Sequence, residues 1–208
     1  MSKTQDLFVT RIYRAEVPGA PKLNHDLEMA ALALAANDRA GLRWCEKHGY
    51  PGYTSYASHG DLAAEFVEFA RLERIITRHV AAYARDLHWD MRGKRPLCDS
   101  MWVNVMPEGG SHTSHLHHNA VVSGTYYVAV PAGSGPIVFE DPRLAMMMAA
   151  PPRKAGLPRE LMAHVSEHPK EGSLLLWESW LRHEVPLNRA AGHRISVSFN
   201  YVLTGSAK

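Results

Sequence analysis

The chain has 208 residues, 46% of them hydrophobic, with 23 basic against 21 acidic side chains and a net charge of +2. So balanced a charge argues against a nucleic-acid or membrane-surface partner, and a chain of this length buries roughly 70% of its unfolded surface without a disulfide or structural metal to staple it. The two cysteines, Cys45 and Cys98, form no CxxC pair and read as reduced thiols of a cytoplasmic protein.

The opening "MSKTQDLFVT" lacks the basic region and apolar core of a signal peptide. No apolar run approaches the ~20 residues of a membrane span. "LFVTRIYRAEVPG", residues 7–19, predicts a first strand stopped by Pro18 and Gly19. Residues 22–41 predict a helix, with Asn24 as N-cap, Gly41 as C-terminal stop and Leu23, Leu27, Ala30 and Leu34 on one face. "WCEKH" offers half a zinc site, but no second ligand pair exists for it. Residues 49–60, "GYPGYTSYASHG", are turn-rich and aromatic: a surface loop, or a lid. Residues 61–89 predict one long helix whose apolar stripe runs from Leu62 through Phe66, Phe69, Leu72, Ile76, Val80 and Tyr83 to Leu87.

After Gly93 the pattern changes. Short apolar runs alternate with Gly/Pro turns: "DSMWVNVMPEGG", "VVSGTYYVAVPAGSG", "PIVFEDPR", "GSLLLWESW" and "HRISVSFNYVL". This predicts antiparallel β-structure at sandwich or barrel spacing, with "PAGSG" (131–135) as a hairpin turn and residues 146–160 as a long surface connection. The chain reads as one domain over 1–208, in which 1–93 form a mostly helical supporting layer and 94–204 the β core. Exposed sheet edges suggest a homodimer.

Thirteen histidines is the one unusual count. "SHLHHNAVVSGTYYV", residues 114–128, places His115, His117 and His118 just ahead of a strand. On a strand, alternate side chains share a face, so His115 and His117 can enter one cavity while His118 points away. His183, after "SLLLWESW", offers a third ligand, and three ligands on neighbouring strands leave coordination positions open. His112 would join as a fourth only if its loop curled back. Asp141 or Asn119 could stand in for His117. In "RISVSFNYV", Arg194, Ser196, Ser198 and Asn200 fall on one face and Ile195, Val197, Phe199 and Tyr201 on the other. An inward arginine followed by a serine two residues on suits a carboxylate. Taken alone, the strand reads better as an ordinary edge strand with a solvated Arg194. Trp177 and Trp180 read as core, and Asn104 as a cavity residue.

These residues resemble the Fe(II)- and 2-oxoglutarate-dependent dioxygenases. The resemblance lies in His115-Leu-His117, His183 in "RHEVPLN", and Arg194 with Ser196 in "HRIS". It extends, through "GYTSYAS", "WVNVMPEGG", "SGTYYVAVP", "FEDPRL" and "LLLWESWLRHEVP", to a bacterial group of such oxygenases with no assigned substrate. The resemblance implies a mainly β fold with α, a double-stranded β-helix (jelly roll) flanked by N-terminal helices. It implies Fe(II) on His115, His117 and His183, with 2-oxoglutarate as cosubstrate bound by Arg194, Ser196 and Tyr127. It implies a dioxygenase that hydroxylates or otherwise oxidises its substrate, releasing succinate and CO2. One departure stands out: His117 occupies the position where the family carries Asp or Glu. Two other readings remain open. In a cupin-type dioxygenase or isomerase the glutamate expected after His117 is missing and Arg194–Ser196 goes unexplained. A non-catalytic jelly-roll module with a structural metal would need a fourth ligand.

Overall fold

The computed structural model describes residues 3–205. Strand β1 (Tyr13–Glu16) leads into helices α1 (Ala20–Asn37) and α2 (Arg39–Lys47), a short strand β2 (Tyr53–Thr54), and helices α3 (Leu62–Glu65) and α4 (Val67–Asp86). The long strand β3 (Arg95–Met106) opens the β core. It is followed by β4 (His112–His115), β5 (Val122–Ala129), β6 (Ile137–Glu140), β7 (His164–Glu167), β8 (Ser173–Glu178), β9 (His183–Val185) and β10 (Arg194–Thr204).

The strands form two sheets, β1-β8-β5-β10-β3-β2 and β4-β9-β6-β7, antiparallel throughout. This is a double-stranded β-helix with the helices against the outer face of the six-stranded sheet. Strand β10 lies in the middle of that sheet, and its alternation divides the molecule. Ile195, Val197, Phe199 and Tyr201 join Leu27, Phe69, Leu72, Ile76 and Tyr83 in the core between helices and sheet. Arg194, Ser196 and Ser198 line a cavity between the two sheets. The helices thus cover the apolar face and leave the polar face to the interior of the sandwich.

Several local expectations need correction. The first strand begins at Tyr13, and Leu7, Phe8 and Val9 are exposed. Helix α1 starts after Gly19, whose left-handed φ of 72° turns the chain, with Pro21 in the first turn. Asn24 is not the cap. It is buried on the sheet-facing side, donating to the Val128 carbonyl (2.9 Å) and accepting from the Tyr126 hydroxyl. Gly41 is no stop either: Asp38 caps a new helix by accepting from the backbone N–H groups of Ala40 and Gly41. The long helix over 61–89 breaks at Phe66, which is extended (φ −135°). Its stripe still packs as read, with Phe69, Leu72, Ile76, Val80 and Tyr83 buried. "PAGSG" is not a hairpin turn, because β5 and β6 belong to different sheets. The 49–60 loop contains β2, which pairs with β3, and β7 follows the long connection without a clear alternating signal in the sequence.

Candidate metal and cosubstrate site

Strands β4 and β9 pair with His115 directly opposite His183. Their rings lie 4.4 Å apart, and the His117 ring lies 5.2 Å from His115 and 5.4 Å from His183. One ligand atom from each imidazole lies within 4.8 Å of the others. Strand alternation predicts His115 and His117 on one face. In the structure β4 ends at His115, and His117 reaches the cluster from the turn beyond it. The backbone N–H of His117 donates to the Ser179 carbonyl (3.1 Å). His118 is exposed. Asn119 is exposed and Asp141 is paired with Arg143; neither lines the cavity at the histidines. His112 lines that cavity, yet it stands outside the three-imidazole cluster and is hydrogen-bonded to the Tyr50 hydroxyl.

The imidazoles are oriented by backbone. The Nδ1–H of His115 donates to the Thr113 carbonyl (2.8 Å) and that of His183 to the Leu181 carbonyl (3.0 Å). Each therefore keeps its Nε2 lone pair free, the tautomer a metal needs. Burial, followed by the neighbouring His115, depresses the pKa of His183 to about 3 and of His117 to about 4. Both are neutral at physiological pH, so no proton has to be expelled before a cation binds.

One cavity is lined by all six predicted site residues: His115, His117, His183, Tyr127, Arg194 and Ser196. Ser196 on β10 pairs with Tyr127 on β5, and the Arg194 guanidinium lies 5.1 Å over the Tyr127 ring. Arg194 is 3% exposed. Among the described residues no carboxylate lies within ion-pair distance of it. Its Nε and the Tyr127 hydroxyl are buried without a hydrogen-bond partner. Buried polar groups are normally satisfied, and a buried cation is normally paired. Two orphaned donors on facing side chains are what a carboxylate would satisfy. Burial holds the Tyr127 phenol up at about 12, so it remains a donor. The donor set therefore fits an anionic cosubstrate, and the imidazoles fit iron.

Asn104 lines the cavity, and Trp177 is both buried core and cavity wall, with its ring 4.7 Å from that of His183. Sequence reasoning missed Trp102, which lies 6.0 Å from the His117 ring, and the Tyr50–His112 pair. Tyr50 sits in a turn-rich segment distant in sequence from the histidines, so no spacing rule connects the two. The free volume at the histidines is about 50 Å³, and His112 and Val185 line both it and a second groove of about 420 Å³.

The structure is thus a double-stranded β-helix in which three converging imidazoles and a buried arginine without a carboxylate partner share one cavity. Residues 100–200, just under half of the chain, match the family model described as "Putative 2OG-Fe(II) oxygenase". No curated protein matches by sequence. Among solved structures, a Pseudomonas putida prolyl-4-hydroxylase superposes with a TM-score of 0.61 at 14% identity over 93% of each chain. EctD from S. alaskensis, in its apoform, superposes at 0.61 and 15% identity over 93% of this chain and 73% of its own. An oxidoreductase of the 2OG-Fe(II) oxygenase family from Burkholderia pseudomallei aligns at 0.43 and 17% identity, and the chain spans about half (51%) of its length. At these identities the first two likenesses establish the fold, and the third is too loose to add to it.

Proposed function

We propose that the protein is an Fe(II)- and 2-oxoglutarate-dependent dioxygenase in which His115, His117 and His183 hold the metal and Arg194, Tyr127 and Ser196 hold the cosubstrate. The observation that carries this reading is the buried, unpaired Arg194 beside the orphaned Tyr127 hydroxyl, in the same cavity as the three imidazoles. When bound, Fe(II) with 2-oxoglutarate and O2 would supply the oxidation of a C–H bond, one oxygen atom entering succinate as the cosubstrate loses CO2 and the other entering the substrate.

The chain's own residues prepare the site for this. Backbone carbonyls fix the His115 and His183 rings. The depressed pKa values keep His117 and His183 unprotonated. Arg194 offers a fork that matches a carboxylate, with the Tyr127 and Ser196 hydroxyls beside it. Burial excludes water from the guanidinium, which strengthens each charged contact there. A His117 ligand leaves the metal site one unit more positive than Asp or Glu would, favouring a dianionic cosubstrate.

The test is an anaerobic titration of the Fe(II)-loaded protein with 2-oxoglutarate, followed by visible absorption and calorimetry. A metal-to-ligand charge-transfer band and a measurable heat are expected. A protein that binds iron but gives neither would replace this reading with the cupin-type enzyme or the metal-binding module.

A further inference from the structure

The interior of the sandwich contains a line of polar side chains that the proposed function leaves unexplained. Ser179 and Ser123 are 0% and 1% exposed, and neither lines the cavity at the histidines. They are therefore out of reach of substrate and cosubstrate. Their hydroxyls are 2.8 Å apart, and the Ser123 hydroxyl lies 2.8 Å from Asn200 Oδ1. The amide oxygen can only accept, so Ser123 spends its one proton on Asn200 and Ser179 must donate to Ser123. The Asn200 amide N–H in turn donates to the Ser100 hydroxyl at 3.3 Å. The result is a one-way chain from Ser179 through β5 and β10 to β3. Apolar side chains would fill this space without the desolvation penalty of polar ones, so the chain calls for a reason.

The reason lies in what Ser179 carries. It sits in the turn between β8 and β9. Its carbonyl accepts from the His117 N–H (3.1 Å), and its own N–H donates to Val121 (3.2 Å). Two residues on, the Leu181 carbonyl accepts from His183 Nδ1. One short turn therefore holds two of the three imidazoles, and His117 has no strand of its own to fix it. We propose that Ser123 and Asn200 are positioning residues for the metal centre: they lock the Ser179 turn to the six-stranded sheet and thereby set His117 and His183. The inference rests on the reading that these histidines bind the metal. Partners behind the ligands typically control metal affinity by ten- to a hundredfold.

The test uses the full chain and Co(II) as the probe, read by calorimetry and by the visible ligand-field bands, with melting temperature recorded alongside. Ser123→Ala leaves Asn200 Oδ1 and the Ser179 hydroxyl without their partner. It should weaken Co(II) binding ten- to a hundredfold and change the ligand-field bands. Asn200→Ala breaks the next link, should do the same, and decides the matter if Ser123→Ala does not fold. Thr77→Val serves as the control. It removes a comparable hydroxyl pair, Thr77 with Tyr201 (2.8 Å), on the helical side of the sheet, and should leave Co(II) binding as in the parent. Parent affinity and bands in the Ser123 and Asn200 variants overturn the inference. So does an equal loss in Thr77→Val, which would reduce the effect to general destabilisation. A parent that binds no Co(II) instead overturns the metal site itself, a result distinguishable from either.

Discussion

His115 and His183 face each other in register across β4 and β9, ring to ring at 4.4 Å. Each directs its Nδ1–H to a carbonyl two residues earlier in its own chain segment. Two separate stretches of sequence thus present Nε2 to the same point by the same local device. Replacing either ring with Ala removes one corner of a three-point site. Stoichiometric Co(II) or Fe(II) binding should be lost in His183→Ala while the far-ultraviolet circular dichroism stays that of the parent. Full metal occupancy in that variant would mean that the site lies elsewhere.

His117 should tolerate a carboxylate. Its position is fixed by the backbone bond to Ser179, which a substitution of the side chain leaves in place. His117→Asp should therefore keep Co(II) within about tenfold of the parent, whereas His117→Leu should lose at least about tenfold. The two affinities can be read from competition with a chelating dye. Equal binding by His117→Leu and the parent would remove His117 from the ligand set.

The metal-free protein should be acid-sensitive in a defined window. His183 and His117 titrate at about 3 and 4 in the folded state, chiefly because burial penalises their charged forms, and His112 at about 4 for the same reason. Their ordinary value is about 6.5. Between these values the unfolded chain binds more protons than the folded one, so stability rises with pH. It is fully present above about pH 6.5 and is lost as pH falls toward 4. The melting temperature of apo-protein should drop between pH 7 and 5, with a shallower slope in His183→Ala. Identical slopes would show that His183 does not contribute to this linkage.

Much of this site was legible because strand alternation and motif spacing are local. The polar face of "RISVSFNYV" and the apolar stripe of α4 follow directly from periods of two and 3.6 residues. The convergence of His115 with His183 followed from the spacing that the resemblance supplied. What the sequence concealed depends on tertiary contact. Asn24 looks like a cap but satisfies Tyr126 and Val128 across the sheet. Phe66 looks like mid-helix but is extended. His117 reaches the cluster through a turn bonded to Ser179, 62 residues away in sequence, rather than through strand alternation. Tyr50 meets His112 over a similar separation. No periodicity encodes such pairs.

The final prediction concerns Arg194, whose buried guanidinium has no carboxylate partner among the described residues. In the absence of ligand this charge is a liability, since desolvation is unrewarded. An apolar side chain of similar length should relieve it. Arg194→Met should therefore leave the melting temperature of the apo-protein unchanged or raise it, while Co(II) or Fe(II) binding stays within about threefold, because Arg194 is not a ligand. For the cosubstrate the sign reverses. Breaking a buried ion pair by removing one partner typically costs about 3–5 kcal/mol, which corresponds to roughly two to four decades in affinity. Arg194→Met should weaken 2-oxoglutarate at least about a hundredfold in the anaerobic Fe(II) titration. Arg194→Lys should recover part of that loss, since it keeps the charge but not the bidentate fork. Stability held or gained with cosubstrate binding lost is the pattern of a binding residue kept at the expense of the fold. A variant that loses both together would instead make Arg194 a structural residue, and unchanged 2-oxoglutarate affinity would move the cosubstrate away from β10.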